Sequence, residues 1–234
     1  MAGPRNGGPG KIMKPTDYRD LVTRRQACRA CAGLRNPAEP ELACFDSREI
    51  GPWTRLHGDL NAGLMIVGQD WGDVRYYVAH RGFDDLKNPT MRTLERLLNE
   101  SGIPASLTRY EQGDRGLFLT NAVLCLKDGG LQAAVDGSGF SNCGARFLRP
   151  QIEIVAPRVV VALGQRAYEA VLQAYGMKPG KFREAVESAD GTRLPGGHRL
   201  LAVYHCGNRI LNTHRKYPEQ LRDWQRVAAW VNRD

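Results

Sequence analysis

From residue 63 onward the chain alternates short apolar runs with stretches whose hydrophobic positions recur every three to four residues. Residues 63–68 form an apolar run bounded by glycines, the pattern of a strand buried on both faces in a parallel sheet. Residues 90–101 place Met91, Leu94, Leu97 and Leu98 at helical spacing, and Gly102 and Pro104 stop them. Residues 116–123 read as a second strand, and a glycine-rich loop follows from 128 to 139. Residues 144–155 are helical in pattern, with Pro150 starting or kinking the helix. A third strand over 159–164, a helix over 166–175 and a fourth strand over 199–204 continue the rhythm. Residues 217–232 close it as an amphipathic helix with Leu221, Trp224, Val227 and Trp230 inward.

Strands alternating with helices predict an α/β fold: three α/β/α layers around a four-stranded parallel sheet with right-handed crossovers. Ligands of such sheets bind beyond the carboxyl ends of the strands. That directs attention to residues 69–72, 121–127 and 205–209. Upstream, residues 1–16 are Gly/Pro-rich and are expected to be a disordered tail, with one domain over 17–234. Within it, residues 17–29 suggest a short basic helix and residues 33–62 irregular structure.

Composition narrows the class. The 234 residues are 42% hydrophobic, 25% charged and 8% aromatic, an ordinary soluble globular composition. No apolar run approaches the roughly 20 residues of a membrane span, and the first residues lack the core of a secretory signal. Membrane, secreted disulfide-scaffold and fibrous proteins are thereby set aside, and a cytoplasmic monomer is the expectation. A formal net charge of +8, with arginine far outnumbering lysine, favours a polyanionic partner such as nucleic acid. Six cysteines stand at 28, 31, 44, 125, 143 and 206. The pair Cys28-Arg-Ala-Cys31 precedes any strand pattern, so it reads as a metal half-site rather than a redox dithiol.

The strand-end sequences carry a resemblance. Gly68-Gln69-Asp70-Trp71-Gly72 resembles the water-activating motif of the uracil-DNA glycosylase superfamily, which is Gly-Gln-Asp-Pro-Tyr in one branch and Gly-x-x-Pro-Gly in others. Leu119-Thr120-Asn121-Ala122-Val123 is similar to its strand ending in a uracil-reading Asn. Val203-Tyr204-His205-Cys206-Gly207 stands in the place of its His-Pro-Ser motif, with Cys206 where Pro is usual. Residues 147–164 look like the helix–strand segment of the iron–sulfur (family-4-like) branch. The resemblance runs from about Cys28 to the C-terminus.

It implies a monofunctional DNA glycosylase that flips uracil out of DNA and hydrolyses its N-glycosidic bond, leaving an abasic site. His205 would stabilise the leaving uracil anion at O2 as a neutral donor. Asp70 would orient water and offset positive charge on the sugar. Asn121 would read the Watson–Crick edge, Gln69 would help bind the base, and Phe83 would stack on it. Because Trp71-Gly72 replaces Pro-Tyr, thymine exclusion would fall to Trp71, Tyr76 or Tyr77. Arg209 and Arg215 would hold phosphates around the apolar pair Ile210-Leu211. Cys28, Cys31, Cys125 and Cys143 match the four ligand positions of the branch, implying a [4Fe–4S] cluster, with zinc as the alternative. Two rival functions stay open: another base preference (hypoxanthine or mismatched thymine) on the same scaffold, and a non-catalytic DNA-binding metalloprotein.

Overall fold

The computed structural model describes residues 14–51, 53, 58–85, 87–107, 116–130 and 132–233. The expected tail therefore lies mostly outside the described residues, and its last part, from Lys14, already belongs to helix α1 (Lys14–Ala27).

The sheet grows from the apolar runs. Strands β2 (Leu64–Gly68), β3 (Leu117–Asn121), β5 (Val159–Leu163) and β7 (Arg199–Val203) are parallel, in the order β3-β2-β5-β7. A short strand the pattern did not suggest, β6 (Thr192–Arg193), adds antiparallel to β7 and makes the sheet five-stranded and mixed. The 33–62 segment is not wholly irregular either, because β1 (Leu34–Arg35) pairs antiparallel with β4 (Leu126–Lys127) as a separate ribbon. Two-residue strands carry too little periodicity to be read from sequence.

Successive strand residues point to opposite faces, and each face buries its own core. Met65, Val67, Phe118, Val160 and Ala162 pack with Leu21 and Val22 of α1 and with α6 (Gln165–Ala174). Leu64, Ile66, Val159, Val161 and Leu201 pack with α3 (Pro89–Glu100) and α9 (Tyr217–Val231). Those two layers and the sheet give the expected α/β/α sandwich, with the first and last helices on opposite faces.

Three shorter elements complete the picture near the site. Helix α2 (Val74–Ala79) starts on Asp73, whose carboxylate accepts from the Tyr76 N–H. Helix α4 (Gly137–Cys143) continues through a π-helical turn (Gly144–Leu148) into α5 (Arg149–Val155). Pro150 cannot donate to the carbonyl a turn earlier, and the wider turn before α5 accommodates that missing bond. Helices α7 (Phe182–Glu187) and α8 (Asn208–Thr213) flank the β6–β7 hairpin and the loop after β7. Among the described residues no helix is long and apolar enough to cross a membrane.

Candidate active site

Chain order puts β3 on one side of β2 and β5 on the other, so the connections diverge between β2 and β5. The carboxyl edge at such a divergence is an open crevice. Gly68 ends β2 in register with Asn121 at the end of β3. A Cβ on Gly68 would collide with Asn121 Oδ1, so glycine is what lets the amide lie across the end of β2. Gly164 follows β5 at φ 99°, and a Cβ there would meet His205 Cβ at 3.5 Å. Gln69 and Asp70 follow β2 directly, which brings four of the predicted site residues to one edge.

His205 is fixed by its surroundings. The Gly207 N–H donates to Nδ1 at 3.0 Å, so a neutral ring carries its proton on Nε2. Burial lowers its pKa from the usual 6.5, and the nearby Asp70 charge pulls weakly the other way. The ring is therefore a neutral Nε2–H donor at physiological pH. Gln220, buried on α9, donates to the His205 carbonyl at 3.2 Å and ties the loop to the helix layer. Cys206 is fully buried and its thiol points to the Thr90 carbonyl at 3.5 Å, so a cysteine fills the position usually held by Pro by packing against α3.

Asp70 is held from several directions. Gly72 N–H donates to Oδ1 at 3.0 Å and Gln69 Nε2 to Oδ2 at 2.8 Å. Lys127 Nζ lies 3.2 Å from Oδ1, with both side chains nearly buried, at 7% and 8% exposure. A carboxylate has about four lone-pair sites, so three donors leave room for one more, such as a water. An anion so fully engaged is better suited to orienting water and to electrostatic support than to taking a proton.

Other expectations change. Gln69 gives one amide N–H to Asp70, which makes it a support of the carboxylate as well as a candidate base contact. Trp71 and Tyr77 are buried with Trp53, Leu42 and Leu126 in an aromatic cluster, and the Tyr76 hydroxyl donates to Asp84 at 2.9 Å. Burial removes Trp71 and Tyr77 from thymine exclusion. Phe83 is 39% exposed, one of two large exposed hydrophobics among the described residues. Arg209 is exposed in the first turn of α8. Arg215 instead forks onto Asp223 at 2.8 and 3.0 Å, and Asp223 is 1% exposed. That bidentate pair anchors α9, so the guanidinium is not a spare phosphate ligand.

The cysteines gather elsewhere. Cys28, Cys31, Cys125 and Cys143 line one cavity of about 90 Å³, while Cys44 is exposed and Cys206 belongs to the His205 loop. Asn36 donates to the carbonyls of Arg25 and Cys28 at 2.8 Å, closing the end of α1. Asn142 donates to the Ala30 carbonyl at 3.3 Å and to Cys31 Sγ at 3.5 Å. Burial, then the neighbouring cysteine charges, push the Cys125 thiol up to about 12 and Cys143 to about 11. Among the described residues no three His, Cys, Asp or Glu side chains converge as a site for a metal ion. Four cysteine sulfurs lining one cavity are the donor chemistry of a thiolate-held centre, iron–sulfur or zinc.

Sequence reasoning missed Lys127, Gln220 and the Arg25–Asp46 pair. Arg25 is 1% exposed beside the cysteine cavity and lies 2.9 Å from Asp46. None carries a motif signal, because each reaches its partner only through tertiary contacts.

A neutral imidazole donor, a side-chain amide and a carboxylate at the carboxyl edge of an α/β/α sheet define a base-handling site of the glycosylase type. Residues 56–230 match the model of the uracil DNA glycosylase superfamily. The chain belongs to that superfamily. It is 31% identical to the type-5 uracil-DNA glycosylase of Pyrobaculum aerophilum, covering 91% of this chain and 92% of that protein. It is 26% identical to the type-5 uracil-DNA glycosylase of Thermus thermophilus, covering 91% and 99%. Both relatives carry the type-5 name, and the superfamily is the one the strand-end motifs resemble.

Proposed function

We propose that this protein is a monofunctional uracil-DNA glycosylase, which hydrolyses the N-glycosidic bond of a flipped-out uracil and leaves an abasic site. The observation that carries the reading is His205. Its Nδ1 is occupied by the Gly207 N–H, so the proton must be on Nε2, and burial keeps the ring uncharged. A neutral donor suits a leaving uracil anion because it stabilises charge that develops only as the bond breaks.

The remaining roles follow from position. Asn121 lies across the end of β2, where an amide can donate to a carbonyl and accept from an N–H of one base edge. Asp70 faces the developing sugar cation and orients the attacking water. Phe83 offers an exposed aromatic face to a flipped base, and Arg209 an exposed cation to phosphate. Cys28, Cys31, Cys125 and Cys143 would hold a [4Fe–4S] cluster, which when bound would neutralise four thiolates and link the end of α1 to the β3–α4 connection. The cluster takes no part in the hydrolysis. The enzyme works on DNA as a cytoplasmic monomer.

Purified protein is incubated with oligonucleotides bearing one uracil, hypoxanthine or mismatched thymine, and abasic sites are cut with alkali. Alkali-dependent cleavage at uracil alone is the expected result. Preferential cleavage at hypoxanthine or thymine replaces the substrate assignment, and no cleavage at any base supports the non-catalytic DNA-binding reading.

A further inference from the structure

We infer that Lys127, which belongs to none of the strand-end motifs, is a positioning residue for hydrolysis. It acts by holding Asp70 as an oriented carboxylate in a nearly water-free recess. The inference rests on the role proposed above for Asp70.

Three observations place it there. The Lys127 ammonium lies 3.2 Å from Asp70 Oδ1 and 3.4 Å from Oδ2, and the pair is almost wholly shielded from solvent. A cation engaged by both carboxylate oxygens fixes which way the carboxylate points, so the pair sets the orientation of the group that faces the sugar. The lysine backbone is also fixed to the same turn: its N–H donates to the Gly72 carbonyl at 2.9 Å, and Lys127 bridges to Asp73. Its strand, β4, is paired with β1, so the ammonium is delivered by a built ribbon rather than by a loose loop.

The geometry also separates this role from a second one. A lysine in a glycosylase pocket can attack the sugar C1′ as a free amine. Here the nitrogen is engaged by both Asp70 oxygens, at 3.2 and 3.4 Å, with the two side chains only 7% and 8% exposed. Lys127 therefore supports the carboxylate and forms no imine with the abasic product.

The test uses the intact holoenzyme and reads single-turnover cleavage of a uracil oligonucleotide together with the Kd for the same DNA. Lys127→Met should lower the rate by about 10²-fold, in the range of a lost acid–base group. Affinity should stay within about threefold, because phosphates supply most of it. Lys127→Arg should recover most of the rate, since a guanidinium also pairs with a carboxylate. In an Asp70→Asn background, Lys127→Met should change nothing further, because residues acting as a unit are not additive. Visible absorbance and melting temperature are followed on every variant. Should Lys127→Met fail to fold, Lys127→Gln and the double variant carry the same comparison.

A Lys127→Met rate equal to wild type, or an equal further loss in the Asp70→Asn background, overturns the inference. So does borohydride trapping of the wild-type protein on abasic DNA, which requires a free amine. Failure of the wild type to cleave uracil DNA sinks the proposed activity, and full activity of Asp70→Asn sinks the role of Asp70.

Discussion

The strand-end pocket and the cysteine cavity flank one short stretch, residues 121–127, and they are stabilised in opposite ways. In the pocket the polar side chains bring their own partners: Asp70 has Lys127, Gln69 and Gly72, and His205 has Gly207. Its polar groups are therefore fixed by intramolecular bonds in the folded chain. The cavity collects four thiols from three separate parts of the chain, two of them with pKa values raised to about 12 and 11. Ionising them together without a cation is unfavourable, so the cluster proposed for that region would complete it. One site is held by partners the chain itself supplies, and the other is a ring of thiols beside the end of α1, which already packs on the sheet through Leu21 and Val22.

Removing a cysteine should therefore produce the largest effect. Cys125→Ser is expected to strip iron and visible absorption and to lower the melting temperature. A loss of about 4 kcal/mol corresponds to roughly 8–16 °C at this chain length. Cys44→Ser, at an exposed position, should leave all three unchanged. Iron analysis, the visible spectrum and a thermal melt decide it. A Cys125→Ser protein with wild-type stability would make the cavity an ordinary buried cluster of small side chains.

The contrast also explains what could be read from sequence. The sheet was legible because strands buried on both faces give unbroken apolar runs, as at 159–163. Asp70, Asn121 and His205 were legible because each directly follows or ends such a strand. The supports were not. Lys127 meets Asp70 through the β1–β4 ribbon, and its two-residue strands leave no periodic trace. Asp73, the next carboxylate along the motif, is spent as the N-cap of α2. Arg215 read as a phosphate ligand from its basic neighbourhood, but Asp223, eight residues on, claims it across a turn. Sequence gives charge, and only the fold gives the partner.

Breaking the pocket should alter rate rather than stability. His205→Ala is expected to lower single-turnover cleavage by about 10²–10³-fold, the loss typical of a removed oxyanion donor. DNA affinity and iron content should remain. Loss of iron with the rate would mean that the two regions are not independent.

A smaller effect concerns protons. Burial lowers the His205 pKa below 6.5, so the ring stays neutral as pH falls through the range where a free histidine charges. The cleavage rate should be flat down to about pH 6.5 and fall only below it. Stability follows the same sign: the unfolded chain takes the proton first, so this histidine's contribution is lost as pH falls. Asp70→Asn removes the charge that pulls the pKa upward, and an NMR titration of the ring should move further toward acid. Movement toward higher pH would place Asp70 away from the imidazole.

The smallest effects separate two arginines that look alike in sequence. Arg209 is exposed and Arg215 is held by Asp223, so the same substitution should act on different quantities. Arg209→Ala should reduce the slope of log Kd against log salt by about one, because each lost phosphate contact releases one fewer counterion. Its melting temperature should not move. Arg215→Ala should leave the slope alone and destabilise the fold, since it strips a partner from a carboxylate that is 1% exposed. Arg226, 2.6 Å from Asp223 Oδ1, remains to share that charge. The loss should therefore be about 1–3 kcal/mol, the penalty for a buried group left short of a partner. Salt titrations of DNA binding and thermal melts on the two variants should give opposite results. If Arg215→Ala flattens the salt dependence while the fold keeps its stability, the pair opens on DNA and the guanidinium turns to phosphate after all.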